Sequence, residues 1–293
     1  MALRGVDRGA GLDLGDVLGP SSDIATRGRL SGWRRIVAGL AVPALLLTVW
    51  SILSATGLLS DRLLPAPADL ARSARDFVVA PQREAVPGVV PFRGAAVEHI
   101  RASVGLWAVA YGIAVCVGLP LGLGLGLSRW MAAAVDPLFQ AVRSVPITAW
   151  LPIALVWFGL GAGAGRFLVF VGAVSPIVVA TADSTARVPR QLVDTARMLG
   201  TRPRDLARRV YIPSALPGIV TGLRLGLTLG WTTVIVGELT GVSRGLGAMM
   251  FAAREVSRLD QIIVGMATFA IIGLTGDILL RAASRPLTRW ADA

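Results

Sequence analysis

The chain has 293 residues, 54% of them hydrophobic, a net charge of +11 and a mean hydropathy of +0.66. Such a composition, gathered into several long apolar runs, indicates a polytopic membrane protein and excludes an ordinary soluble domain. The basic residues are all Arg and stand mainly beside the apolar runs, so they read as orienting the chain in a lipid bilayer, with no nucleic acid implied.

Residues 1–30 show no sustained periodicity and read as a mobile cytoplasmic tail. They are not a cleavable signal, because the first apolar run begins only at Ile36. Six apolar runs follow, each near the roughly 17–25 residues that cross a bilayer. They are Ile36–Leu53, Val104–Leu127, Val145–Leu160, Phe167–Ala182, Leu216–Val236 and Ile262–Leu280. Residues 31–290 therefore read as one all-α, six-helix transmembrane domain. With both termini in the cytoplasm, 18 Arg fall on the cytoplasmic side and ten outside, and the bias is clear where loops are short.

The first exterior loop, Gly57 to Arg101, is long, and its stretch Pro81 to Pro91 is an irregular insert without an assigned role. Two runs carry glycine at every fourth residue: Gly118, Gly122 and Gly126, and then Gly218, Gly222, Gly226 and Gly230. That spacing lines small residues along one stripe and lets a second helix, from this chain or from another subunit, approach closely. The alternating glycines from Gly159 to Gly165 do not form a dinucleotide site, which needs a strand before them and a helix after. Cys116 and His99 are the only residues of their kinds, so an intrachain disulfide, a cysteine zinc site and a histidine-rich metal site are excluded.

The stretch Val188 to Pro217 carries six Arg yet lies between two apolar runs. It reads as two short amphipathic helices. Leu192, Val193, Ala196 and Leu199 share one face of the first, and Gly200 ends it. Thr201 is positioned to cap the second, with Pro203 in its first turn. There Leu206, Ala207 and Val210 face one way, Arg204, Arg208 and Arg209 face others, and Pro213 and Pro217 close the unit. Further on, Leu246, Met249, Met250 and Ala253 share a face of a short exterior helix, and near the cytoplasmic side Asp277 can pair with Arg224. Glu238 closes the fifth run on the exterior side.

Asp194-Thr195-Ala196, Gly200, and Val210-Tyr211-Ile212-Pro213 resemble, with matching spacing throughout, the EAA loop of ABC-importer permeases. Asp194 stands for Glu, Thr195 for Ala, Val210 for Ile and Ile212 for Leu. The segment Leu64-Pro65-Ala66-Pro67 and the stretches Gly118–Arg129 and Thr221–Trp231 are similar to the sulfonate/taurine/nitrate subfamily. The resemblance implies the type I importer architecture, with Asp194, Thr195, Ala196, Gly200, Thr201, Arg202 and Leu206 coupling the chain to an ATPase. It also implies a homodimer in the plasma membrane, a cytoplasmic ATPase dimer that binds ATP and magnesium, and an extracytoplasmic substrate-binding protein. The short exterior helix would then stand near the outer gate, or be a plain interfacial helix.

The chain contains no Lys, so it lacks the P-loop that ATP hydrolysis by the usual route requires, and a separate subunit must supply that chemistry. No catalytic residue is assigned, and no cofactor is expected in this chain. The expected cargo is a small anion of the sulfonate, taurine or nitrate kind, with another small nutrient as the alternative. Two rivals remain: an ion-coupled secondary transporter, although no repeated halves are visible, and an intramembrane enzyme, which one His, one Cys and scattered acids disfavour.

Overall fold

The computed structural model describes residues 41, 44–46, 48–54, 56, 64–81 and 90–288. The expected N-terminal tail and most of the irregular insert lie outside these residues. The described chain is helical, with no strand among the described residues. The chain divides into two units between Ile52 and Leu53. The first unit contributes most of a short apolar helix, α1 (Ala44–Ser54).

Four helices of the second unit are long and apolar enough to cross a membrane. They are α3 (Ala96–Leu127), α6 (Ala162–Ala186), the helix of which α9 (Ile212–Glu238) is the main part, and α11 (Leu259–Thr288). The run Val145–Leu160 forms only a 3₁₀ turn (Ile147–Trp150) and α5 (Leu151–Phe158). Together with α4 (Arg129–Ser144) it makes one broken element, bent by 93°. The break has a local cause. Pro146 holds Val145 in extended backbone (φ −73, ψ 123), because a residue before proline is crowded out of the helical region. The described structure therefore has four apolar helices of spanning length, or five if the bent pair counts as one.

Helix α6 is the centre of the bundle, held between α3 and α9. The two glycine stripes lie against neighbouring sides of it, and Ile177 meets both. A Cβ added at Gly122 would stand 2.6 Å from Cβ of Thr181, and one at Gly126 would stand 2.6 Å from Cβ of Thr185. From the second stripe, a Cβ at Gly222 would reach 2.6 Å from Ala180 Cβ and one at Gly226 2.6 Å from Ile177 Cγ1. Gly218 faces Ser184 in the same way. Real Cβ atoms do not approach so closely, so these contacts need bare backbone. Gly230 is looser, with 3.0 Å to Ala173 Cβ. Gly105 and Gly112, off the stripe on α3, would meet nothing within 4 Å.

Helix α11 is tied to α9 by mixed contacts. The Trp231 and Phe269 rings stack at 4.4 Å, and Trp231 Nε1 donates to the Phe269 carbonyl at 3.0 Å. Arg224 donates to Asp277 at 3.0 and 3.4 Å, and Arg281 donates to the same carboxylate at 2.6 Å. A charge within an apolar helix is costly unless paired, and this cluster meets that need. The large apolar side chains left exposed, among them Leu274 and Ile278, suit a lipid surround. Outside the bundle, α2 (Pro67–Val79) starts on a proline in its first turn and buries Phe77 against Phe92. Its Ser73 hydroxyl bonds Asp260 at the start of α11.

Candidate functional site

Helix α7 (Arg190–Met198) ends as a Schellman turn. Gly200 sits at φ +78, its N–H donates to the Arg197 carbonyl at 2.9 Å, and Thr201 N–H donates to the Ala196 carbonyl at 3.1 Å. A left-handed residue closes this turn, which is why glycine stands there. Asp194 is exposed, with Arg197 3.7 Å away on the next turn, and the Thr195 hydroxyl returns to the Gln191 carbonyl.

The chain then starts a new helix at Pro203, and this departs from the sequence expectation twice. Thr201 is not the cap. Arg202 occupies that position in extended backbone (φ −67, ψ 150), and no side chain caps the helix. Pro203 fixes the residue before it as extended, so the helix starts one residue later and Thr201 falls outside the cap position. Nor do Pro213 and Pro217 close a separate second helix. α8 (Pro203–Leu206) runs through a π turn (Ala207–Tyr211) straight into α9. In that turn Ile212 N–H reaches back five residues to the Ala207 carbonyl. The wider register falls just before Pro213, where a missing N–H would otherwise interrupt the ladder.

One apolar cluster anchors this unit. Val188, Val193, Leu206, Ala215 and Ile219 are buried together, with Ala196, Val210, Leu119 and Leu123 packed against them. The expected four-residue apolar face of α7 is thereby split. Val193 and Ala196 turn inward, whereas Leu192 is half exposed and Leu199 is 81% exposed beside Met198 at 88%. The tip therefore offers two bare apolar side chains with Gly200, flanked by exposed Arg197 and Arg202. Arg208 and Arg209 are exposed on the π turn, and the side chain of Arg204 lies outside the described residues.

A second feature is a cavity of about 810 Å³ between the bent α4–α5 pair, α6 and α9. Its walls are mostly apolar, with Phe139, Trp150, Trp157, Phe167 and Phe170 among them, and its polar lining includes Arg143, Ser175 and Asp183. Trp150 and Trp157 meet Phe167 edge-on at 6.1 and 5.7 Å, which packs α5 onto α6.

A third feature is the start of α10 (Leu246–Glu255). Its first amides are taken by side chains of other helices. Gly245 N–H donates to His99 Nδ1 at 3.0 Å, and Leu246 N–H donates to Ser103 Oγ at 2.8 Å. Gly247 and Ala248 N–H donate to one oxygen of Glu238, at 2.5 and 3.4 Å. Ser103 Oγ donates to the other at 2.5 Å, and His99, Ser103 and Glu238 are all buried. A Cβ at Gly245 would run into the Glu238 carboxylate. The apolar face of α10 expected from sequence, Leu246, Met249, Met250 and Ala253, is buried.

Residues 115–290 match the family described as binding-protein-dependent transport system inner membrane component. The chain belongs to this family. It is 32% identical over 258 residues to the taurine transport system permease protein TauC of Escherichia coli, covering 88% of this chain and 90% of that one. It is 28% identical to the putative aliphatic sulfonates transport permease protein SsuC of Bacillus subtilis, covering 89% of each chain. The nitrate import permease protein NrtB of Synechocystis is 30% identical, covering 83% of this chain and 86% of that one. In fold, the chain resembles the inward-facing MetNI methionine ABC transporter, with a TM-score of 0.52, 22% identity and coverage of 64% of this chain and 94% of that one. An amino acid ABC transporter solved with histidines gives a TM-score of 0.55 at 19% identity, covering 65% and 92%.

The chain is thus a permease subunit of an ABC importer, a membrane component and not itself an enzyme. For this permease, sequence reasoning singled out the α7 region and both glycine stripes but missed the α10 cap. From sequence, Glu238 reads only as the charge that closes the fifth run, and the single His99 only as excluding a histidine-rich metal site. The available signal was the four-residue spacing of His99 and Ser103, which puts both on one face of α3.

Proposed function

We propose that two copies of this permease pass a small oxyanion-bearing solute, of the sulfonate, taurine or nitrate kind, across the plasma membrane. Each copy crosses six times with both termini in the cytoplasm. α1 is the first span and the bent α4–α5 pair the third. A cytoplasmic ATPase dimer holding ATP and magnesium docks on residues 188–213. An extracytoplasmic binding protein delivers the solute, and the cavity with Arg143 belongs to the route through the pair.

The observation that carries this reading is the α7 tip. Met198 and Leu199 are among the most exposed large apolar side chains of the second unit, held by a rigid Schellman turn and ringed by Arg. An exposed apolar pair on a shaped, charged turn suits a protein partner better than lipid or water. Asp194 and Arg202 add charged contacts, while buried Leu206 and half-buried Ala196 and Thr201 hold the turn in place.

Two measurements test the reading. Coexpression with a P-loop ABC ATPase should yield a complex that survives detergent purification, and Met198→Asp with Leu199→Asp should abolish it while leaving the permease in the membrane. A double variant that retains the ATPase at wild-type yield sinks the docking assignment. Reporter fusions at each terminus should both read as cytoplasmic, since positive charge is retained there. An exterior reading at either end removes the six-span topology.

A further inference from the structure

We infer that His99 is a proton-sensitive latch for α10: the neutral imidazole closes the first turn of that helix, and protonation releases it. The tautomer follows from geometry. His99 Nε2 lies 2.6 Å from the Pro91 carbonyl oxygen, which can only accept, so Nε2 carries the hydrogen. Nδ1 must then be bare, and it is the acceptor for Gly245 N–H at 3.0 Å. The ring is therefore neutral and uses both nitrogens. A proton on Nδ1 would set two N–H groups facing each other. It would also put a charge on a side chain with 0% exposure, stacked against Phe77.

The neighbouring charges leave His99 as the responsive group. Glu98 is held by Arg244 at 2.7 Å, and Asp76 by Arg93 at 3.2 Å. Glu238 accepts from Ser103, Gly247 and Ala248, and it has no contact with the imidazole in the hydrogen-bond pattern. Asp260, on α11, is bound by Arg258 and Ser73. His99 thus joins three parts of the chain: the Pro91 segment, α3 and the start of α10. Losing the Gly245 bond frees the chain just before α10, and leaves the first turn held by Ser103 and Glu238 alone. The sign is set by the bare Nδ1. The latch holds at alkaline and neutral pH and opens on acidification, once the cost of charging the buried ring is met.

The inference depends on the proposed orientation only for the side from which the proton arrives, which is the exterior. Its test does not depend on orientation or on any transport partner. The full chain, carrying no histidine tag, is placed in lipid nanodiscs with isotope-labelled histidine. Since His99 is the only histidine, its signals are unambiguous. At about pH 8 the ring should be the neutral Nε2–H tautomer, and it should become protonated as the pH is stepped down toward about 4. Over the same range, hydrogen exchange of a peptide covering 244–250, corrected for intrinsic rate, should lose protection by about tenfold or more. His99→Asn, whose side-chain oxygen can accept from Gly245 without titrating, should keep protection at both pH values.

An Nδ1–H tautomer at pH 8 overturns the latch, as does a ring still neutral at about pH 4 or unchanged protection in the wild type once the ring is protonated. An equal loss in His99→Asn also overturns it and assigns the pH response to Glu238 or another group. If His99→Asn fails to fold, the wild-type tautomer and exchange measurements still decide. A failed ATPase copurification alongside a working latch would remove the coupling assignment and leave the latch standing.

Discussion

Gly222→Leu should leave little or no folded permease in the membrane, and Gly226→Leu should do the same. At Gly222 even a Cβ would lie 2.6 Å from Cβ of Ala180 and 3.3 Å from the Pro176 carbonyl oxygen. At Gly226 it would lie 2.9 Å from the Ala173 carbonyl oxygen. A carbonyl of the facing backbone cannot rotate away as a side-chain tip can, so α9 and α6 must separate. Overpacking a close-packed interior costs about 1–3 kcal/mol when side chains can adjust, and a forced separation of two helices belongs at or above that range. The control is Gly112→Ala on α3, where the new Cβ meets nothing within 4 Å. There the substitution should be neutral or favourable by up to about 1 kcal/mol, because alanine loses less backbone freedom than glycine in a helix. The measurement is the yield of monodisperse protein in mild detergent and its midpoint of thermal unfolding. Wild-type values for both stripe variants would mean that α6 and α9 do not meet as closely as described.

Gly200→Val should insert and fold normally yet lose coupling to the ATPase. The residue sits at φ +78 with open space around it, so the substitution is resisted by backbone conformation and not by a clash. A left-handed conformation costs an L residue roughly 1–2 kcal/mol, and a β-branched residue more. That strain would be relieved by opening the turn. The bonds from Gly200 to Arg197 and from Thr201 to Ala196 would be lost, and Met198 and Leu199 would move. The bundle core is remote from the tip, so membrane yield should hold. Stimulation of ATP hydrolysis by loaded binding protein should fall to the basal rate, a loss of about tenfold or more if shape at the tip governs docking. Gly200→Asn should keep most of the stimulation, since Asn tolerates the left-handed region far better. Arg202→Glu should weaken ATPase association through charge, without touching the turn. The comparison uses purified complex in lipid. Normal stimulation in Gly200→Val, or equal losses in the Val and Asn variants, would remove the turn from the coupling path.

Much of this permease was legible in the sequence because its signals are local. The apolar runs, the four-residue glycine spacing and the turn-forming Gly200 each follow from a short stretch and a fixed helical geometry. The spacing from Asp194 to Pro213 identified the family for the same reason. Where neighbours compete, local reading failed. Thr201 could not cap a helix once Pro203 held Arg202 extended in the cap position, and Pro213 could not end one once a π turn had shifted the register.

Three matters were left to tertiary structure. The glycine stripes fit any close partner, and only the packing put both against α6. The apolar face of α7 was sound as a helical pattern, but the limited surface of the bundle accepted Val193 and left Leu199 in the open. The cap of α10 was the least visible from sequence. It gathers His99 and Ser103 from α3 and Glu238 from α9, more than 130 residues apart in sequence. Periodicity reports which side of a helix is apolar, but it carries no information about which distant polar groups a helix end will meet. That is decided when the helices pack, because each buried amide must then find an acceptor.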